Sequence, residues 1–171
     1  MNLKSNAHTQ GLLPLVQFQD AVASLPLVSV DWVLTNPAGE LLVGQRLNAP
    51  ALGAWFTPGG RIRKGEALAE ALGRVVQEEL GAPPDLAAAL VQRGRLMGAW
   101  DHFYPDAAFS PTVPTHYVNL PHWATLSANE VAALRLPLGE QHGEWRWMPL
   151  EEAALRVHLW VRAYVDWVRE R

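Results

Sequence analysis

Glycines, carboxylates and arginines recur between Gly59 and Gly81 at spacings that suit work on a phosphate. Gly59-Gly60-Arg61-Ile62-Arg63-Lys64-Gly65-Glu66 is a glycine-rich, cationic loop, and the segment behind it carries Arg74, Glu78 and Glu79 before closing at Gly81. A glycine loop entering a helix leaves backbone N–H and C=O groups free near the helix start, where phosphates and metal ions approach. Adjacent carboxylates supply hard oxygen ligands for Mg²⁺, an ion that keeps several waters and shares its shell with substrate phosphates. Arg74 precedes Glu78 by one helical turn and can hold that carboxylate in place. By itself the Glu78-Glu79 pair would describe a solvated helix surface. The loop in front of it makes a metal site the better reading.

Those residues need elements to hold them. Glu66 to Leu80 is rich in helix formers, with Gly81 and Pro83-Pro84 as the stop. Upstream, Leu15 to Leu25 spaces Phe18, Val22 and Leu25 as a short helix would. Leu27 to Leu34 reads as a strand interrupted by Ser29 and Asp31. Asn36-Pro37-Ala38-Gly39 is a turn, and Glu40 to Arg46 returns as a second strand to make a hairpin. Downstream, strands are expected near Val91 to Trp100, over Thr115 to Leu120 and over Trp145 to Met148, with a helix starting at Ser127-Ala128-Asn129-Glu130. One last helix is expected over Leu150 to Arg169, acidic at its start and basic at its end. Interleaved helices and strands around a mixed sheet indicate one α+β or α/β domain.

Composition narrows the function classes. A chain of 171 residues, about half of them apolar, is long enough to bury a real core. The net charge of -3 gives no basic blanket for nucleic acid, so a polyanionic ligand must meet local arginines and a metal ion. The absence of cysteine excludes thiolate metal sites, disulfides and cysteine nucleophiles. Met1 to Gly11 is polar, without the apolar stretch of a signal peptide, and no run is long enough to span a membrane. A cytoplasmic protein is therefore expected. Most of the eight tryptophans are expected in the core, although a tryptophan face can also stack on a nucleobase.

The Gly60 to Gly81 segment resembles the Nudix box: a glycine, five residues, a glutamate, seven residues, then Arg-Glu-aliphatic-x-Glu-Glu-x-Gly. Gly60, Glu66, Arg74, Val76, Glu78, Glu79 and Gly81 fall in register, while Val75 stands where the pattern has a glutamate. Within that superfamily the chain looks like the GDP-mannose mannosyl hydrolases, which also lack that glutamate. The likeness runs from about Leu15 to Trp147. It is carried by Pro26 to Asp31, Gly44 to Ala51, Trp55 to Arg61, Trp100 to Tyr104, Thr115 to Val118 and Glu140-Gln141-His142.

The resemblance implies an α+β fold, an α/β/α sandwich in which a mixed β-sheet lies between helices and the Nudix loop-helix-loop, as a single domain over 1–171. It implies Mg²⁺, with Mn²⁺ as a substitute, held by the carbonyl of Gly59, the carboxylate of Glu79 and the amide oxygen of Gln141, with Glu78 as a further candidate. His142 is then the general base. Arg46, Arg61 and Tyr117 contact the diphosphate, Asp31 and His102 help to hold the sugar and diphosphate end, and Arg74 braces the metal carboxylates. The implied reaction is hydrolysis of GDP-mannose or a related GDP-hexose at the anomeric carbon, to GDP and free sugar with inversion. Two alternatives stand beside it: a standard pyrophosphatase cutting a P–O–P bond, and a non-catalytic nucleotide-sugar binding domain. The residue types alone leave bland readings open, with His142 in a polar surface loop, Asp31 at a sheet edge, His102 packing on aromatics and Arg46 ending a strand. The family also implies a homodimer, contacted through residues 1–26, the N-terminal segment and helix.

Overall fold

The computed structural model describes residues 13–171; the polar segment Met1 to Gly11 falls outside them. The chain forms α1 (Leu15–Ser24), β1 (Leu27–Thr35), β2 (Leu41–Arg46), β3 (Trp55–Phe56), β4 (Gly59–Arg61), α2 (Leu68–Leu80) and α3 (Pro84–Arg93). It continues with β5 (Arg95–Leu96), β6 (Trp100–Tyr104), β7 (Thr115–Thr125), α4 (Ala128–Ala133), β8 (His142–Met148), α5 (Leu150–Arg156) and α6 (Leu159–Arg169).

Everything is arranged around β1. It pairs in parallel with β7 from Leu27↔Tyr117 to Thr35↔Thr125, while its other edge takes β4 at Ser29–Asp31 and β2 at Thr35. The sheet runs β3-β2-β1-β7-β5, with β8 on β2 and β6 on β7. Side chains alternate across a strand. Val30, Trp32 and Leu34 therefore enter the cluster under α2 and α3, with Val75, Val76, Leu80 and Leu90, while Val33 enters the cluster under α5 and α6, with Ala153, Val161 and Val165. Asp31 has the parity of Val33, which explains a carboxylate inside an apolar strand: it points to the α6 side. The result is an α/β/α sandwich around a mixed sheet, as the resemblance implied. No helix among the described residues is long and apolar enough to cross a membrane.

Local signals account for most element ends. Asn36 Oδ1 accepts from the N–H groups of Ala38 and Glu40 at 2.9 Å each, closing the hairpin turn. Gly81 ends α2 in the left-handed region at φ 58, where a Cβ would also meet the Arg135 carbonyl at 2.4 Å.

Four boundaries differ from expectation. The strand expected near Val91 is instead the end of α3, because Pro84 occupies the first turn and the two prolines start a helix as well as stop one. The strands there are the short β5 and β6. β7 runs past Leu120 to Thr125 through Pro121, which falls in the gap between its pairings with β5 and with β6, where a residue without an N–H is tolerated. The single C-terminal helix is two helices. Val157 bridges Trp55, the His158 N–H donates to the Trp55 carbonyl at 3.0 Å, and the chain leaves the helical path to make that contact. β8 starts at His142, so this histidine is a strand residue and not a loop residue.

All eight tryptophans lie in or against the two clusters. In α1, Val22 faces inward while Leu25 is exposed, so the expected Phe18-Val22-Leu25 stripe does not form one face.

At the surface, Arg93 makes a two-pronged bond to Glu130 at 2.8 and 2.9 Å, and Glu130 also accepts from the Ser127 N–H at 2.8 Å. Arg93 foremost, and Ser127, hold the Glu130 carboxyl down at about 2. A depressed carboxyl stabilises the fold above its unfolded value near 4.5 and loses that contribution as pH falls toward 2. Glu130→Gln should thus cost about 1 kcal/mol at pH 7, allowing for solvent screening. Thermal melts of both proteins should converge as pH falls from 5 to 2; a constant difference would disprove the assignment.

Candidate active site

Strand alternation brings chemistry to one cavity of about 300 Å³. Ser29 and Asp31 of β1, His102 and Tyr104 of β6, and Tyr117 and Asn119 of β7 are pairs two residues apart that line it. Arg46 from the end of β2, Gly59 to Arg61 from β4, and Arg74, Val75, Glu78 and Glu79 from α2 complete most of the wall, with Gln141 at the edge. Every expected site residue except His142 therefore meets in one place.

The glycine loop is tied to its helix by Arg74. Its Nε and Nη2 reach Glu66 at 2.6 and 2.9 Å, Nη1 reaches Glu78 at 3.0 Å, and Nη2 also donates to the Arg61 carbonyl at 3.0 Å. The Arg63 N–H adds a bond to Glu66 at 2.8 Å. Arg74 holds the Glu66 carboxyl below its usual range, and Glu66 raises Arg74 in return. Arg74 thus grips Glu66 and Glu78 but not Glu79.

Glu79 is buried, and burial lifts its carboxyl to about 7 against the opposing pull of Arg46. Gln141 Nε2 donates to Glu79 Oε1, and His142 Nδ1 lies 3.6 Å from Oε2. His142 lies on the far side of that contact, lining a neighbouring cavity of about 330 Å³ with Arg63, Glu78 and Glu140. It is buried, its ring lies 4.2 Å from that of Trp145, and burial drives it down to about 4, so it is neutral at pH 7. Its Nε2 has no hydrogen-bond partner among the described residues. Room for the ring comes from Gly44, where a Cβ would meet His142 Cδ2 at 2.4 Å. His142 pairs with Arg46 across the β2–β8 ladder, beside a register shift at Gln45/Arg46.

Arg46 is aimed by a bond from Nε to the Pro50 carbonyl at 2.8 Å. Arg61 lies over the Phe18 ring, 3.9 Å from its centroid, so α1 reaches the site through a residue that the sequence marks only as part of a helix stripe. Asp31 is raised to about 6 by burial, against the nearby Asn119 amide and a bond from the Tyr164 hydroxyl at 3.1 Å. His102 is lowered to about 4, again mainly by burial. Burial also raises Tyr117.

Thr57, Arg63, Tyr104, Asn119 and Tyr164 were missed as well. Period-2 alternation from His102 and Tyr117 marks Tyr104 and Asn119. No local pattern marks Tyr164, whose partner Asp31 is 133 positions away.

The donors around Glu79 suit a hard divalent cation. Among the described residues no three His, Asp or Glu side chains gather at one point. A cation beside the buried carboxylate would need amide and backbone oxygens, water and phosphate to fill its shell, which is the habit of Mg²⁺. Guanidinium groups of Arg46, Arg61 and Arg63 in the same wall can neutralise a diphosphate.

Fold and cavity together define a hydrolase built on a glycine loop and a carboxylate-bearing helix. The family model described as the NUDIX domain matches residues 25–168, and the chain belongs to that family. It is 34% identical over 154 residues to the low-salt glycan biosynthesis protein Agl8 of Haloferax volcanii, covering 90% of this chain and 89% of the relative. A MutT Nudix hydrolase from Burkholderia pseudomallei superposes with a TM-score of 0.64 at 24% identity, covering 85% of this chain and 99% of that one. The NUDIX domain of Shewanella oneidensis NrtR, solved with ADP ribose, gives 0.63 at 21% identity, covering 98% of each.

Lysine cannot reproduce the forked grip of Arg74. Arg74→Lys should cost about 2 kcal/mol in urea unfolding, because Glu66 keeps a half-buried charge with fewer donors. An unchanged midpoint would show that the loop is held by other contacts.

Proposed function

We propose that this Nudix hydrolase cleaves GDP-mannose, or a related GDP-hexose, at the anomeric carbon, releasing GDP and the free sugar with inversion. The observation that carries the reading is Val75. It is 1% exposed, on the box helix, where a Cβ at Gly60 would meet its Cγ2 at 3.4 Å. No carboxylate stands at that position to activate water for attack on phosphorus. In this reading the neutral imidazole of His142, beside Glu79, takes the part of the base. The relative named for glycan biosynthesis supports a sugar-linked substrate.

Glu79, the Gln141 amide oxygen and the Gly59 carbonyl would hold Mg²⁺, with Glu78 as a further ligand. When bound, the ion supplies charge neutralisation to the departing diphosphate. Arg46, Arg61 and Tyr117 bind that diphosphate, and the guanidiniums match the charge that grows on GDP as the bond to C1 breaks, so no strong general acid is needed. Asp31 and His102 position the sugar. Arg74 fixes the loop that presents Gly59 and Arg61. His142 takes the proton from the attacking water at a ring nitrogen. Gln141 lines both cavities, its amide N–H bonded to Glu79. Releasing that bond frees its amide oxygen to face a cation.

Glu78 favours a second reading. It is exposed, lies at the junction of both cavities, and supplies the carboxylate that a standard Nudix pyrophosphatase would use for another cation. The site of water attack separates the two. In ¹⁸O-water the label should enter the hexose, and the first-formed anomer should be inverted. Label in a phosphate with sugar phosphate released would establish the pyrophosphatase instead. His142→Gln should retain GDP binding and lower kcat by about 10²–10⁴.

A third measurement needs no turnover. Mg²⁺ should raise the melting temperature of the parent and have no such effect on Glu79→Gln, which loses the anionic ligand but stays folded. Equal Mg²⁺ stabilisation of both would remove Glu79 from the metal site.

A further inference from the structure

Tyr164 is fully buried on α6, yet its hydroxyl reaches two groups that line the cavity: it lies 3.1 Å from Asp31 Oδ2 and 3.1 Å from His102 Nε2. The same helix fixes the ring it touches. Trp160, one turn earlier, stacks on His102 at 5.3 Å with an interplanar angle of 10°. Phe56 and Tyr104 stand edge-on to the same ring, at 6.2 and 6.3 Å. The plane of His102 is thus set by Trp160 and its edge by Tyr164.

A hydroxyl has one hydrogen to give and lone pairs to receive with. Asp31 is an acceptor when ionised, and Oδ2 also faces the Thr57 hydroxyl at 3.4 Å, so two donors converge on that oxygen. If the tyrosine hydrogen goes to Asp31, only lone pairs are left toward His102, and Nε2 must carry the hydrogen of that contact. A neutral imidazole has one N–H. Nδ1 is then the acceptor nitrogen of a ring that lines the cavity. The reverse orientation, with the hydroxyl donating to Nε2, would withdraw a donor from a buried carboxylate, which is costly.

We propose that Tyr164 is a positioning residue of this site: its hydroxyl, given to Asp31, holds His102 in the Nε2–H form and makes Nδ1 an acceptor for a hydroxyl of the sugar. The second half rests on the reading of the cavity as a GDP-hexose site; the first does not. His102 in this form cannot donate a proton from Nδ1 to the departing diphosphate, so its work is recognition of the sugar. Nδ1 would accept from the sugar and not from GDP alone.

The test uses ¹⁵N-labelled full-length protein at pH 7.5 without Mg²⁺ or substrate. Long-range ¹H–¹⁵N correlation spectra show which histidine nitrogen carries hydrogen, and His102→Gln identifies the signals. His102 should be the Nε2–H tautomer in the parent, and Tyr164→Phe should shift it to Nδ1–H or to a mixture. The same variant should weaken binding of GDP-mannose about tenfold, the usual worth of one hydrogen bond, with GDP binding unchanged. An Nδ1–H or doubly protonated His102 in the parent overturns the proposal, as does a tautomer that survives Tyr164→Phe unchanged. Equal loss of GDP and GDP-mannose binding would overturn the sugar contact. Should Tyr164→Phe fail to fold, the parent spectrum still decides, because Nε2–H supports the orientation and Nδ1–H overturns it. A parent that does not bind or cleave GDP-mannose would sink the functional reading alone, since the tautomer is read without substrate.

Discussion

The grip of Arg74 on Glu66 is the contact on which the rest of the site depends. Glycines make the loop from Gly59 to Gly65 easy to bend, and that same freedom makes it costly to hold in one place. One guanidinium spans the first residues after the loop, the box helix and the Arg61 carbonyl, so Gly59 and Arg61 are presented at fixed distance from Glu79. Five N–H donors in a rigid fork suit that task. Without this tie the loop and the helix would each remain intact while the cavity between them lost its shape.

Charge inside the cavity is organised around a shared counter-ion. Asp31 and Glu79 are raised by burial, and Arg46 opposes both shifts. Burial drives His102 and His142 the other way, and Arg46 adds to the shift at His142. Desolvation thus leaves both histidines neutral at pH 7 and raises both carboxyl groups above their ordinary range.

How much of this was legible in the sequence depended on whether the signal was local. The box helix, its Gly81 stop, the hairpin at Asn36 and the alternation of β1 are all written in neighbouring residues, and they appear where expected. The site residues that share a motif with Gly60, Glu66 and Arg74 came together for the same reason. What escaped was set by distant contacts. Trp55 breaks the C-terminal helix at Val157 from a hundred positions away in the fold's wiring, a contact no periodicity contains. Tyr164 looks like an ordinary inward-facing helix residue until β1 places Asp31 above it. His142 reads as a loop histidine in the polar run Gly139-Glu140-Gln141-His142, yet its pairing with Arg46 makes it the first residue of β8. The double proline after Gly81 was read only as punctuation, although it also opens α3.

Gly44 contributes no functional group, and it is not in the glycine loop. Its missing Cβ is nevertheless the space that the His142 ring occupies, and Trp145, packed on that ring, lies 3.0 Å from the same Cβ position. In a genetic screen for loss of function, Gly44 would therefore score with the pocket residues. A change as mild as alanine there would act as an allele of His142. The smallest residue in β2 would be among the least replaceable, and its intolerance would be inherited from a neighbour's chemistry.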